Sequence, residues 1–457
     1  MSDLRKAPAF YTVAWRWHFF AGLFVVPFML MLAFTGIIYL FKPQLDQWMF
    51  GELLNVPASS QMAHPADHLV KVALQRYPGA VLLKYQPPAT ATSSSKLVIR
   101  HQGQKLAVYL DPYRGTLLGS QDESSTLQAV VLKLHGELFM GRSGDLLVEL
   151  AASWGVVLLV SGLYLWWPRG RGKLAVFWPR FSAGGRTLWR DLHAVTGFWG
   201  VLFVLFMLFS GLTWTGLWGE KFAAVWSQFP AQMWDDVPKS NRKAIALNST
   251  EDKVVPWAVE QTPLPRSTGN HAEHSAPGTG PSGNLASISL QQIIHLAQAR
   301  NVAPGYTIAL PDGPEGAYTI SVFPDDPRHE ATLHVDQYSG KVLADIRFKD
   351  YAAVPKAVEF GVALHEGKFF GLANQLLMLA ICLLVIFSCI SGIIMWIKRK
   401  PDGKLGVPVT PATTPRWKSA LFIMLLLGMA FPLVGASFLL VLVADEVRRR
   451  WPRRAQA

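Results

Sequence analysis

Four histidines stand where an apolar run begins or ends: His18 in WHFFAG, His135 in LHGELFMG, His193 in DLHAVTG and His365 in LHEGKFFG. A neutral imidazole offers one nitrogen lone pair, and two that face each other make a ligand pair for a transition metal. Ionisable residues in or beside a membrane span are rare and functional by default. The other reading of each ring alone is an interfacial, hydrogen-bonded histidine. Repetition favours the ligand reading. Gly22 and Gly197 follow His18 and His193 by four residues, and Gly36 and Gly211 follow them by 18. Gly162 and Gly392 follow His135 and His365 by 27, and Trp166 and Trp396 follow them by 31.

The elements that must hold these rings are membrane helices. Of 457 residues, 51% are hydrophobic, 17 are Trp and only 16% are charged, which argues against an ordinary soluble protein. Apolar segments at about 17–41, 147–168, 192–219, 373–397 and 419–443 approach or exceed the length needed for a ~30 Å hydrocarbon core. The net charge of +12 gathers at Arg5, Lys6 and Arg16, at Arg169 to Arg190 and at Lys398 to Lys404, flanking these runs. That is the pattern of cytoplasmic loop ends, not of a nucleic-acid patch. It places the N-terminus (a retained anchor), 169–191 and 398–418 in the cytoplasm, with 42–132 and 220–360 outside. The fifth segment breaks the pattern, because parity would put its basic tail, 444–457, outside. Gly428, Pro432 and Gly435 mark it as a candidate broken helix. Cys382 and Cys389 share a helix face within an apolar run and read as core fillers. There is no CxxCH for covalent haem attachment.

The matched intervals indicate a duplicated unit of helix, external domain and helix, its copies related by a pseudo-two-fold axis along the membrane normal. Each external domain reads as a helix followed by strands: HLVKVALQRY leading to KLAVYLDPYRGTLLG, and SLQQIIHLAQAR leading to ATLHVDQYSGKVLA. In both, D-x-Y-x-G joins two alternating strands as a hairpin turn, at Asp111–Gly115 and Asp336–Gly340. Residues 256–286 are rich in Pro, Gly, Ser and His and read as a flexible insert of the second copy. His271 and His274 within it, like His64, His68, His101, His295, His329 and His334, read as surface residues.

The ordered set WHFFAG, YLDPYRGTLLG, LHGELFMG, DLHAVTG, HVDQYSGKVLA and LHEGKFFG resembles the PepSY-associated transmembrane family over roughly residues 10–400, with FPLVG at 431–435 in addition. The resemblance implies an α-helical bacterial inner-membrane protein with two small α+β PepSY-like periplasmic domains. Outer histidine segments at 133–168 and 361–397 would each lead into a helix. Some relatives are iron-regulated di-haem reductases of ferric siderophores, so the resemblance implies haem and iron chemistry.

With that topology, His18 and His193 begin outward helices and His135 and His365 precede inward ones. The expectation is two non-covalent b-type haems, an inner one held by His18 and His193 and an outer one by His135 and His365. Gly36 and Gly211, five whole turns from the inner histidines, would leave room for the outer ring, and Gly22 and Gly197 for the inner. These glycines equally suit ordinary helix contacts. Arg16 and Arg190 read as haem-propionate partners or as positive-inside anchors. A continuous helix from His135 to Trp166 would be about 46 Å long, placing His135 above the hydrocarbon unless Gly141 or Gly144 kinks it.

The function expected is transfer of electrons from a cytoplasmic protein or a quinol to a periplasmic ferric siderophore or other iron chelate. No GxGxxG follows a strand, so no dinucleotide site is expected in the chain itself. The rivals are a haem conduit to copper or to a periplasmic redox protein, and a non-redox PepSY anchor that regulates a peptidase.

Overall fold

The structure is a computed structural model describing residues 9–168, 176–226, 236–248, 253–267, 287–399, 406 and 418–450. Arg5, Lys6, Arg169, His271, His274, most of loop 398–418 and the end of the basic tail lie outside the described residues. The helices are α1 (Ala9–Leu40), α2 (Lys42–Leu54), α3 (Ala66–Arg76), α4 (Leu127–Glu137), α5 (Arg142–Trp166) and α6 (Gly185–Leu212). They continue as α7 (Trp218–Trp226), α8 (Leu290–Ala299), α9 (Ala353–His365), α10 (Leu372–Arg399), α11 (Lys418–Ala430) and α12 (Pro432–Arg450). The strands are β1 (Val81–Gln86), β2 (Ser95–His101), β3 (Gln104–Leu110), β4 (Leu117–Asp122) and β5 (Lys239–Lys243). After them come β6 (Pro263–Pro265), β7 (Thr307–Ala309), β8 (Ala317–Val322), β9 (Ala331–Asp336) and β10 (Val342–Arg347). The chain forms two compact units, one of Met1–Ile37, Leu134–Lys221 and Leu377–Ala457, the other of Ile38–Lys133 and Phe222–Leu376.

In the first, helical unit lie most of the four helices long and apolar enough to cross a membrane: Phe10–Leu40, Arg142–Trp166, Gly185–Leu212 and Leu372–Arg399. The third of these stops at Leu212 rather than near 219. The reason is a carboxylate cap. Asp145 accepts the Gly216 N–H at 3.0 Å, and Glu149 Oε2 accepts the N–H groups of Leu217 and Trp218 at 2.9 and 3.1 Å. The pair, one turn apart on α5, satisfies the amides at the start of α7, where negative charge is favoured. Glu149 is buried in an apolar helix, and this cap accounts for its charge. Gly216 has no room for a side chain, since a Cβ there would lie 2.1 Å from Asp145 Oδ2.

The segment expected as a fifth span, 419–443, is broken at Phe431 into α11 and α12. A Cβ on Gly435 would lie 2.8 Å from the Cα of Gly428. Seven residues of straight helix would hold those positions about 10 Å apart, so the arms fold back on each other. Pro432 starts the second arm, where its missing N–H costs nothing. The Trp218 indole N–H caps the Ala430 carbonyl at 2.9 Å.

The second unit holds the strands and corrects the expectation of two separate small domains. Eight strands form one sheet in the order β10-β9-β8-β7-β1-β2-β3-β4. The join is the antiparallel pairing of β1 with β7, Lys84 opposite Ala309 and Tyr85 opposite Ile308. One apolar core runs across it, with Leu97, Ile99, Val108 and Leu110 from one half and Ile320, Leu333 and Val335 from the other. The helices laid on that core cap each other. Asp67 accepts the Leu290 and Gln291 N–H groups, and Gln291 accepts the Ala66 N–H. Both D-x-Y-x-G turns are Asx turns. Asp111 Oδ1 takes the N–H of Tyr113 at 2.8 Å, Asp336 Oδ1 that of Tyr338 at 2.9 Å, and Gly115 and Gly340 carry φ of +65° and +69°. His64 and His68 stack at 4.7 Å and pack on Gly115.

Two further expectations are overturned here. The insert does not begin at 256 as a flexible loop: Val254, Val255, Trp257, Ala258 and Val259 are buried, and β6 pairs with β5. Their apolar side chains, unlike the polar run beyond 267, have a sheet face to cover. His334 is fully buried, not on the surface, because β9 alternates and both faces of the sheet are covered in this half.

Two measurements test this account. Glu149→Ala strands two buried amides and should lower stability by about 2–4 kcal/mol, with Glu149→Gln losing less, read by thermal unfolding in detergent. Burial pushes the pKa of His334 down to about 4 from 6.5. The unfolded chain therefore binds a proton over that window that the folded one refuses, and stability from this group is lost as pH falls. Relative to His334→Leu, the parent protein should lose about 3 kcal/mol between pH 7 and pH 4 in denaturant titrations.

Candidate functional site

The site is built in the helical unit from two copies of one arrangement. α1 carries His18, whose ring lies against α5, where Gly162 lets it approach: a Cβ there would sit 3.3 Å from His18 Cε1. α6 carries His193, whose ring lies against α10, where a Cβ on Gly392 would sit 3.6 Å from His193 Cε1. Beside each glycine is a serine. His18 Nδ1 meets Ser161 Oγ at 2.9 Å, and His193 Nδ1 meets Ser391 Oγ at 3.0 Å.

Each serine hydroxyl has one hydrogen, and it is already committed. Ser161 donates to the Leu158 carbonyl at 3.1 Å and Ser391 to the Ser388 carbonyl at 2.9 Å. With the hydroxyl hydrogens so assigned, the serines accept from the histidines, which is the tautomer with the proton on Nδ1. The Ser388 carbonyl, which can only accept, also lies 3.0 Å from His193 Nδ1 and requires the same tautomer. Nε2 of each ring is left with its lone pair and makes no hydrogen bond among the described residues. That is the ligand form of histidine, oriented through its other nitrogen.

The two rings lie with centroids 6.5 Å apart and planes at 83°. Imidazole nitrogen-to-metal bonds are about 2.0 Å, so a centroid spacing of this order is what His18 and His193 would need to hold one metal together. The spacing fits a pair of imidazoles sharing one metal centre. Gly22 and Gly197, one turn further along α1 and α6, have nothing within 4 Å of an added Cβ. Open space therefore flanks the pair on the two helices that carry it.

At the far end of α1 the device recurs. His135 Nδ1 meets Thr35 Oγ1 at 2.8 Å, and Thr35 donates its hydrogen to the Met31 carbonyl at 2.7 Å. The same inference puts the proton on Nδ1 of His135. Gly36 gives the ring a close approach, a Cβ there lying 3.9 Å from His135 Cε1 and 3.7 Å from Cys382 Sγ. His135 is thus level with Thr35, about 25 Å along α1 from His18 and roughly 7 Å short of Leu40. It is not above the apolar segment as a straight helix would require. The chain between His135 and Trp166 breaks at Leu138, Phe139 and Gly141, which have φ of 52°, 57° and 56°, and α5 begins afresh at Arg142.

In the second unit, His365 ends α9, and the chain turns through Gly367 and Gly371 before α10. Burial pushes the pKa of His365 down, partly opposed by the Glu366 carboxylate beside it. Glu366 is ion-paired to Lys368 rather than solvated. Gly211 lies one residue from the end of α6, and its carbonyl accepts the Trp214 N–H. Ser210, at the place of Thr35 in the repeat, likewise donates to a carbonyl one turn back, that of Phe206 at 2.7 Å.

The arginines divide. Arg190 is held by Asp191 at 3.1 Å, and Arg180 grips the same carboxylate at 2.6 Å. Arg16 lays its guanidinium over Phe20 at 5.6 Å. Arg16 and Arg190 precede His18 and His193 by two and three residues. Ser161, Ser391 and Thr35 are not among the residues expected from sequence, although each precedes one of the repeated glycines. The signal was there in a hydroxyl beside each glycine.

No curated protein matches the chain. Residues 15–399 match the family described as the PepSY-associated TM region, which spans all four long apolar helices but the first few residues of α1, and the whole eight-stranded sheet. The chain belongs to the PepSY-associated transmembrane family.

Proposed function

We propose that this chain is a di-haem b reductase of the bacterial inner membrane, which passes electrons outward to reduce a periplasmic ferric chelate of siderophore type. The observation that carries the reading is the His18–His193 pair, each Nδ1 donating to a serine hydroxyl and the ring centroids 6.5 Å apart. A b-type haem, when bound, supplies reversible one-electron transfer. His18 and His193 would hold the inner one, with Gly22 and Gly197 giving clearance. His135, set by Thr35 and Gly36, would be one ligand of the outer haem. Its pairing with His365, and the part of Gly211, rest on the sequence repeat.

The residues explain what the protein itself must supply. The serine and threonine hydroxyls keep each imidazole neutral and aimed before anything binds, so little ordering is lost on binding. The apolar helices exclude water and keep the two levels apart by most of a bilayer. The electron donor is a separate cytoplasmic protein or a quinol, and the chelate is substrate. Reduction loosens a hard-oxygen chelate's hold, because Fe(II) has the lower charge and is the softer ion.

Purified protein should show a Soret band and a reduced b-type spectrum with two haems per chain. His18→Ala and His193→Ala should each remove the same haem, and His135→Ala the other. A colourless preparation from haem-sufficient cells would contradict the reading and leave the non-redox peptidase regulator. Ser161→Ala and Ser391→Ala free the ring tautomer and should weaken inner-haem retention by about 10–100-fold, read by competition with apomyoglobin. Unchanged retention in both would show that the hydroxyls do not set the ligands.

A further inference from the structure

The sheet unit contains a buried polar row that neither core packing nor the haem reading uses. On β8 and β9, Tyr318, Ile320, Val322, Ala331, Leu333 and Val335 enter the main core. The alternate residues face the other way: Thr319 opposite His334, Ser321 opposite Thr332, with Glu330 continuing the row. All five are buried. Among the described residues, Ser321 Oγ, Thr332 Oγ1, His334 Nε2 and Glu330 Oε2 have no hydrogen-bond partner. Four orphaned polar atoms in one row are more than a folded protein leaves unsatisfied without ordered water. Successive members on one strand face are about 6.7 Å apart, too far for a direct hydrogen bond and right for a bridging water.

The row ends on a carboxyl pair. Glu359, on α9, is buried and accepts the Ala258 N–H at 2.9 Å. Glu330 is raised by burial first and by the Glu359 charge second, and the Tyr351 hydroxyl lies beside it. Glu359 is raised by burial and lowered by the Ala258 N–H and by Lys253. The other groups facing the pair are Glu260 and Lys253 from the covering segment, Asp350 beside Tyr351, and Glu366 beyond α9. Lys253 and, paired with Glu366, Lys368 are the cations among them. Two cations against five carboxyls leave Glu330 holding a proton at rest and Glu359 placed to take up a second.

We propose that Glu330 and Glu359, with Tyr351, form a proton-exchange site fed by the His334–Thr332–Ser321 water row, which takes up one proton when the site at His365 gains an electron. The link is α9 itself. Glu359 stands six residues before His365, about 9 Å along the helix. At that distance, with an effective dielectric constant of about 20, one added negative charge raises proton affinity on the order of tenfold. One electron from the quinol or protein donor is matched by one proton bound at the carboxyl pair. When the electron leaves to the chelate, Fe(III) becomes Fe(II) and the proton returns to water, where it can protonate the chelate oxygen that iron releases. The coupling rests on the proposed haem function; the bound proton does not.

Two readouts on the full-length protein separate these. Infrared spectra of the oxidised protein at pH 7 should show a protonated-carboxyl C=O band that Glu330→Gln removes. Absence of that band in the parent overturns the proton-holding site. The midpoint potential of one haem should fall as pH rises, by about 59 mV in all for that tenfold coupling, and Glu330→Gln with Glu359→Gln should abolish the fall. Glutamine keeps the volume, and the inner haem's potential reports that the variant is folded. A protein that binds both haems and shows no slope, or the same slope in the double variant, overturns the exchange alone. A colourless protein overturns the function and the coupling together.

Discussion

The helical unit depends on a hydroxyl with only one hydrogen. On an apolar helix, a serine or threonine gives that hydrogen to the carbonyl one turn back, and what remains is an acceptor in a fixed place. An imidazole set against it must donate, and its other nitrogen must then face the opposite way as a bare lone pair. Ser161, Ser391 and Thr35 all do this. A polar contact that would be a minor matter in water decides protonation and aim here, since no solvent competes for either partner. The adjacent glycines at 162, 392 and 36 follow from the same need, because the ring must lie almost on the neighbouring helix to reach the hydroxyl.

In the sheet unit the corresponding constraint is the β1–β7 pairing. Either half alone would be a four-stranded sheet with an exposed edge and one helix over a small core. Joined through Lys84–Ala309 and Tyr85–Ile308, the two lose that edge and share one core. The reciprocal caps, Asp67 on α8 and Gln291 on α3, tie the helices together over the join. The asymmetry between the halves is then informative. On the face away from the shared core, the first half carries Val98, Ala107 and Tyr109, while the second carries Thr319, Ser321, Thr332 and His334. The second half also has the covering segment 253–267, which buries that polar face instead of leaving it to water.

Much of this was legible in the residues. Helix length and apolarity gave five spans, four of which are long apolar helices, and D-x-Y-x-G gave both hairpin turns, because those signals are local and each residue's role is met within a few positions. What could not be read was whatever depends on a partner distant in sequence. Leu212 ends α6 because of carboxylates on α5, some 65 residues away, and no local breaker announces it. His334 was taken for a surface residue because strand alternation says which face a side chain takes, not whether something covers that face. His135 was placed too high because a helix was continued through Leu138–Gly141, where non-glycine residues adopt positive φ that composition does not advertise.

The broken segment at Phe431 shows how far length alone can carry an argument about topology. α11 has 13 residues, and the apolar part of α12 runs from Pro432 to Ala444. Either arm is about 20 Å long, well short of a ~30 Å hydrocarbon core. Because the arms fold back at Gly428 and Gly435, the chain after α12 returns to the side from which α11 entered. Were the four long helices to cross and this pair to re-enter, that end would lie on the side of the N-terminus, in keeping with its basic sequence. A break inside apolar surroundings is tolerated only where its backbone groups find partners, and here the Trp218 indole takes the Ala430 carbonyl while the Trp154 indole reaches Ser437 at 3.2 Å. The tryptophans that mark this sequence as a membrane protein are thus also what closes the break at Phe431.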